Sequence, residues 1–199
     1  MNNSAFYGPS PYKPLGLTYV DWIKKWYEWA QSIKREENPA TDTTGKNCSQ
    51  MQSGSVWFLA GTVGGSAKRR CIIHAGKEVF FPIINEMSTT TQYNKIGKDM
   101  VNYCTSIIDQ VTQKEVTFDN EKLACSELEP YRIRTDLFNT TLPEDNLCGI
   151  AAGPTQVVCD GYWMMIKNEV LSAGNHTLHF LGEQADGFRT EATYYLMIE

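Results

Sequence analysis

Between Thr18 and Ile33 the residues Trp22, Trp26, Trp29 and Ile33 recur at helical spacing, with polar and charged residues between them. This predicts an amphipathic helix with one aromatic stripe. Thr18 stands at its N-cap and Asp21 three residues further on, as in a capping box. The stretch Asn38 to Gly54 is polar and turn-rich and reads as a loop. Beyond it the pattern shortens. Ser55 to Gly61 and Arg69 to His74 are β-rich runs separated by Gly64-Gly65, which predicts a hairpin, and Glu78 to Ile84 follows as a third strand. Pro82 belongs at an edge or strand end, because proline cannot donate to a ladder.

Helical spacing returns at Ile96, Met100, Tyr103, Ile107, Ile108 and Val111, predicting a second helix over 96–113. Glu115 to Phe118 and Lys122 to Cys125, around Asp119-Asn120, form a second hairpin, followed by a strand from Tyr131 to Phe138. The last third alternates most clearly. Gln156 to Ile166, His176 to Leu181 and Phe188 to Ile198 read as strands; in the last, Phe188, Ala192, Tyr194, Leu196 and Ile198 share one face and Arg189, Glu191 and Thr193 the other. Many short strands with turn residues between them predict a mainly β domain over 18–199, an antiparallel sandwich or jelly-roll-like arrangement with two helices, preceded by an extended segment over 1–17. The competing arrangement is α+β, with both helices on one face of a single sheet.

At 199 residues the chain suits one domain with a real core. A net charge of -5 argues against nucleic acid as a partner. No apolar run approaches the roughly 18 residues that a bilayer requires, so no transmembrane segment is expected. The opening Met1 to Leu17 lacks the charged start and apolar run of a signal peptide and reads as a mature N-terminus without its leader.

The six cysteines are Cys48, Cys71, Cys104, Cys125, Cys148 and Cys159, none of them in a Cys-x-x-Cys pair. Structural zinc sites use close pairs, so disulfides in an oxidising compartment are the better reading. Sequons at Asn2, Asn47, Asn139 and Asn175 suit a secreted glycoprotein. About fifteen pairings are open to six cysteines. The nearest-neighbour set is Cys48 with Cys71, Cys104 with Cys125, and Cys148 with Cys159.

Several segments in order carry a resemblance: Leu17-Thr18-Tyr19 into the Trp-rich helix, GSVWFLAGTVGG, CIIHAGKEVFFPIIN, TLPEDN, CDGYWMMI, AGNHTLHF and ATYYLMI. Together they resemble a family of uncharacterised secreted β-rich proteins from bacteria and archaea, over about 17–198. The resemblance implies an extracytoplasmic location and a common fold. It brings no catalytic residue with it.

Chemistry must therefore come from the residues. GTVGGSAK over 61–68 lacks the Gly-Lys-Ser/Thr and the following helix of a phosphate loop, which excludes nucleotide binding. His74, His176 and His179 raise the question of a metal, but His176 and His179 have opposite strand parity, and Cys71, His74 and Met87 lack the grouping of a copper loop; no metal or other cofactor is expected. Glu86, Asp160, Glu183 and Asp186 are the carboxylates nearest aromatic or apolar runs, the residue type a glycosidase pairs. Asp160-Gly161 and EQADG over 183–187 also read simply as bends. No Gly-x-Ser-x-Gly or His-Glu-x-x-His motif occurs, which points away from common hydrolases.

Binding candidates remain. The Trp22, Trp26 and Trp29 stripe reads as core. Tyr162, Trp163 and Tyr195 are candidates for an exposed aromatic contact, with Tyr194 less so, and Arg132 and Arg134 lie on one strand face where they could clamp a carboxylate or phosphate. The expected function is an extracytoplasmic binding or surface-interaction module, with carbohydrate or a surface protein as partner. The alternatives are a secreted glycan-active enzyme whose carboxylates meet only in the fold, and a structural cell-surface subunit.

Overall fold

The computed structural model describes residues 4–199. The protein is mainly β, with 39% strand against 23% helix, in a two-sheet sandwich-like arrangement. In chain order the elements are α1 (Tyr19–Ser32), β1 (Val56–Phe58), β2 (Gly65–Ile73), β3 (Glu78–Thr89), α2 (Thr90–Tyr93), α3 (Gly97–Ile108), β4 (Val111–Phe118), β5 (Glu121–Leu123), α4 (Cys125–Leu128), β6 (Phe138–Leu142), β7 (Gly153–Ile166), β8 (Gly174–Gln184) and β9 (Arg189–Ile198). Strands β1-β3-β7-β6 form a four-stranded sheet and β2-β9-β8-β4-β5 a five-stranded one.

The core between the sheets takes Val79, Phe81, Ile83, Met164 and Ile166 from the first sheet and Val116, Phe118, Leu178, Phe180, Tyr194 and Leu196 from the second. The far side of the four-stranded sheet is covered by α1, whose Trp22, Trp26, Trp29 and Ile33 bury against Phe80, Cys159, Trp163 and Met165. The capping box is formed, with Asp21 N–H donating to Thr18 Oγ1 at 3.1 Å and Thr18 N–H to Asp21 Oδ2 at 2.9 Å. Helix α3 lies on the opposite face, where Met100 and Cys104 pack on Val158. The single-sheet arrangement with both helices on one face is thus corrected. One sheet has helices on both sides because its long strands β3 and β7 extend beyond the second sheet, and α3 fills the gap.

VWFLAG does not form the expected hairpin. β1 pairs in parallel with β3, and β2 pairs in parallel with β9, in the other sheet. Gly64 and Gly65, at φ 119° and 79°, let the chain cross between sheets instead of folding back. Pairing with β9, more than a hundred residues later, is a tertiary choice that local pattern does not carry. Pro82 lies inside β3, beside the register shift at Pro82/Ile84 and past the end of β1, where a missing N–H is tolerated.

The second helix ends at Ile108 and not at Gln113, since Val111 already belongs to β4, whose Lys114, Val116 and Phe118 point inward. Ile96, placed on the apolar helix face by its spacing, is 72% exposed. The strand expected over 131–138 runs beside β7 with a broken ladder. Ile133 N–H donates to Gly161 O at 2.8 Å and Thr135 N–H to Cys159 O at 2.9 Å, but the return bond from Cys159 N–H goes to Thr135 Oγ1 at 3.0 Å, so a side chain takes a carbonyl's place. Regular pairing starts only at Phe138. The extended N-terminal segment also joins the sheet: Phe6 bridges to Ile166, and Ala5 and Phe6 are buried in the inter-sheet core.

Of the three disulfides expected, Cys48–Cys71 is formed, whereas Cys104, Cys125, Cys148 and Cys159 are free thiols. Cys104 is buried on the inner side of α3 whereas Cys125 is exposed at the start of α4, and Cys159 is sealed in the core under α1 whereas the thiol of Cys148, in the loop before β7, accepts from Gln31 Nε2 at 3.4 Å. The formed bridge pins loop 38–50 to the outer edge of β2. Arg70 N–H donates to Thr44 O at 2.9 Å, and Gly45, at φ 93°, sits so close that a Cβ would fall 2.1 Å from Arg70 O. Asp42 organises the loop by accepting from the N–H groups of Thr44, Gly45 and Asn47 at 2.8–3.0 Å. Burial raises the Asp42 pKa, but these bonds outweigh it and hold the carboxyl below its ordinary range. Buried Arg69 completes the anchor by donating to Asp42 O at 2.7 Å, Ala60 O at 2.7 Å and Tyr194 Oη at 2.6 Å. An edge strand open to other chains is thereby closed.

Candidate functional site

Two of the four candidate carboxylates are brought to one face of the sheet. Glu86 on β3 and Asp160 on β7 are register partners, so their side chains leave the same face of the sheet, beneath α3. Burial pushes the Glu86 carboxyl up, against hydrogen bonds from Ser88 and Tyr93 that favour its charged form. Asp160 is buried and accepts side-on from Arg132, with Nε to Oδ1 at 3.3 Å and Nη2 to Oδ2 at 3.0 Å. Arg132 also donates to Asp109 Oδ1 at 2.7 Å and to Thr105 O at 3.2 Å, and Arg134 donates to Thr105 Oγ1 at 2.8 Å. The two arginines therefore converge on the end of α3. Arg132 is committed to intramolecular partners, and Arg134 remains exposed. Above the acids Cys104 is sealed in, its thiol pushed up to about 12 by burial. The arrangement is a strut fastening α3 and the 131–135 segment to β7, with both oxygens of Asp160 occupied. Glu183 and Asp186 lie elsewhere, Glu183 paired with Arg189 at 3.1 Å and Asp186 in the turn before β9.

The aromatic candidates separate. Trp163 is fully buried, stacked on Phe80 at 5.7 Å and edge-on to Trp26 at 5.3 Å. Tyr162 is buried, with its hydroxyl donating to Glu129 at 3.3 Å and Lys114 Nζ 4.6 Å from its ring. Tyr194 points into the sandwich. Only Tyr195 faces outward, 46% exposed. Trp22 and Trp29 edge a groove of about 530 Å³ beside Met51, but their indole N–H groups already donate to Pro14 O and Gln50 O.

The histidines stay apart. His176 stacks on Phe118 and bonds Asp119 at 2.8 Å, while His179, on the opposite face of β8, bonds Glu191 at 3.0 Å. His74 follows β2, edge-on to Trp57. Among the described residues no three His, Cys, Asp or Glu side chains group as metal ligands would.

Tyr195 belongs to a surface that the sequence reading did not assemble: the outer face of the five-stranded sheet. Strand register sets its rows. Ile72, Met197 and Asn175 form one row; Arg70, Tyr195 and Thr177 the next; and Lys68, Thr193, His179 and Thr117 the third. Ile72 is 54% and Met197 45% exposed, so with Tyr195 they make a contiguous apolar patch beside two cations. The signal was present in AKRRCII, where every second residue from Lys68 faces out. It went unread because β2 was assigned to a hairpin, without the neighbour that supplies Tyr195.

No protein-family model, curated protein or solved structure matches this chain. Functional inference accordingly rests on this geometry. Of the sequons, Asn47 is buried beside the disulfide, Asn139 and Asn175 are exposed, and Asn2 lies outside the described residues. No helix among the described residues is long and apolar enough to cross a membrane.

Proposed function

We propose that this chain is an extracytoplasmic binding module whose ligand contacts the outer face of the five-stranded sheet. The observation that carries the reading is the exposure there of Ile72, Tyr195 and Met197 in adjacent register positions. The other large sheet faces are filled by α1, by α3 and by the opposing sheet. A flat patch of one aromatic and two aliphatic side chains ringed by hydroxyls and cations has the make-up of a recognition surface. The buried disulfide supports the location.

The enzymatic alternative has one observation in its favour, the Glu86–Asp160 register pair. Against it, Arg132 occupies Asp160, and α3 covers the pair. The test is retention of the purified chain on insoluble cellulose, chitin, pectin and peptidoglycan, comparing wild type with Tyr195→Ala/Met197→Ser and with the distant exposed control Lys98→Ala. Loss of retention in the face variant alone, with an unchanged melting temperature, is expected. Retention that survives the face variant overturns the assignment.

A further inference from the structure

We infer that the ligand of this face is an acidic glycan, a saccharide chain bearing carboxylate or sulfate groups; this rests on the outer sheet face being the binding surface. The chain carries a net charge of -5, so surplus positive charge on any face is a local arrangement. On this face the carboxylates within the strands are already paired; exposed Glu199 lies just past β9, beyond the Ile72–Met197 row and at the opposite end of β2 from Lys68. Glu115 meets Lys122 at 3.5 Å, Glu183 meets Arg189 at 3.1 Å, and Glu191 meets Arg189 at 2.9 Å and His179 at 3.0 Å. Lys68 and Arg70 are exposed and have no ion-pair partner among the described residues. Exposed Lys46, likewise unpaired, follows Gly45, which abuts the Arg70 backbone. The unneutralised cations thus gather at the β2 side of the face, next to Tyr195.

Their spacing suits a sugar. Arg70 and Tyr195 are register partners on adjacent strands, about 4.8 Å apart, and Lys68 lies about 6.6 Å further along β2. A pyranose ring laid against Tyr195 leaves its acidic substituent within reach of the Arg70 fork, which takes a carboxylate or sulfate in bidentate fashion, while Lys68 serves as a point charge for the next residue. Thr177 and Thr193 flank the ring with hydroxyls that suit sugar oxygens. A nucleic acid demands a longer basic track than these three cations provide.

The test titrates the whole chain with polygalacturonate and dextran sulfate as acidic probes, dextran as the neutral one, and single-stranded DNA as a polyanion without pyranose rings. Binding to an acidic probe is expected to weaken as salt rises. It should fall at least about tenfold in Lys68→Glu/Arg70→Glu, and also in Tyr195→Ala, with melting unchanged. Polygalacturonate alone binding assigns carboxylate, and both acidic probes binding assigns anionic sugars generally. Dextran binding that depends on Tyr195 but not on Lys68 and Arg70 overturns the acidic class and leaves the face intact. DNA binding as tightly as the acidic glycans, with the same variant dependence, overturns the glycan. No probe bound, or binding indifferent to Tyr195, overturns both readings.

Discussion

Replacing both cysteines of the Cys48–Cys71 bridge by alanine isolates one structural element with a calculable effect. The bridge spans a sequence separation of 23. In the chain-entropy description a loop of that size removes about 3.4 kcal/mol of unfolded-state freedom. At roughly 2–4 °C per kcal/mol for a domain of this size, the double variant should melt about 7–14 °C lower. The loss should also be local. Loop 38–50 should exchange its amide hydrogens faster, together with the Arg70 amide that bonds to Thr44 O. Calorimetry with and without reductant, with hydrogen-exchange mass spectrometry, reads both effects. Because the other four cysteines are free thiols, reductant should not lower the double variant further. A double variant melting within about 2 °C of wild type would refute the bridge as the anchor and leave Asp42 and Arg69 as sufficient. A further drop on reduction would refute the single-disulfide assignment.

Glu86→Gln should stabilise the fold at pH 7, because a carboxyl whose folded pKa is raised contributes stability below its unfolded value that is lost as pH rises through the folded one. The gain over wild type should vanish on acidification toward pH 4 in melts across that range, and a pH-independent difference would defeat the reasoning. His176 is raised on balance: burial lowers it, but the bonds to Asp119 and Ser172 O prevail. Its stabilisation is present below the ordinary histidine pKa and lost as pH rises, so Asp119→Asn should lower stability more at pH 5.5 than at pH 8.5 in urea titrations, and an equal loss at both would contradict it. At Gly182, on β8, a Cβ would lie 2.4 Å from Cβ of Ile84, which belongs to β3 of the other sheet. Gly182→Ala should therefore destabilise by about 1–3 kcal/mol, and combining it with Ile84→Ala should show coupling above about 0.5 kcal/mol, strict additivity being the opposing result.

The Trp helix was legible because its capping box and its stripe are both local, and both are formed. The strands from Gly153 onward were legible because alternation and turn residues mark them within a few positions of their ends. The second helix was overextended because Val111 continues the helical spacing by coincidence, while the alternation of Lys114, Val116 and Phe118 draws it into a strand. Tyr195 could be placed outward from its own strand. Its neighbours Arg70 and Ile72 could not, since they come from a strand paired across more than a hundred residues.

By itself the sequence determined what short-range chemistry controls: the helix start, most late strand spans and the inward or outward sense of the side chains from Ala192 to Ile198 in the last strand. Three decisions belonged to tertiary structure. β1 and β2 entered different sheets, β1 joined in parallel to β3 and β2 in parallel to β9 more than a hundred residues later; one pair of cysteines came within bonding distance and the other four cysteines did not; and Glu86 came opposite Asp160 while Arg70 came opposite Tyr195. Each depends on contacts between residues far apart in the chain, whose closure is fixed by burying the two sheets and two helices together, a requirement that no single segment encodes.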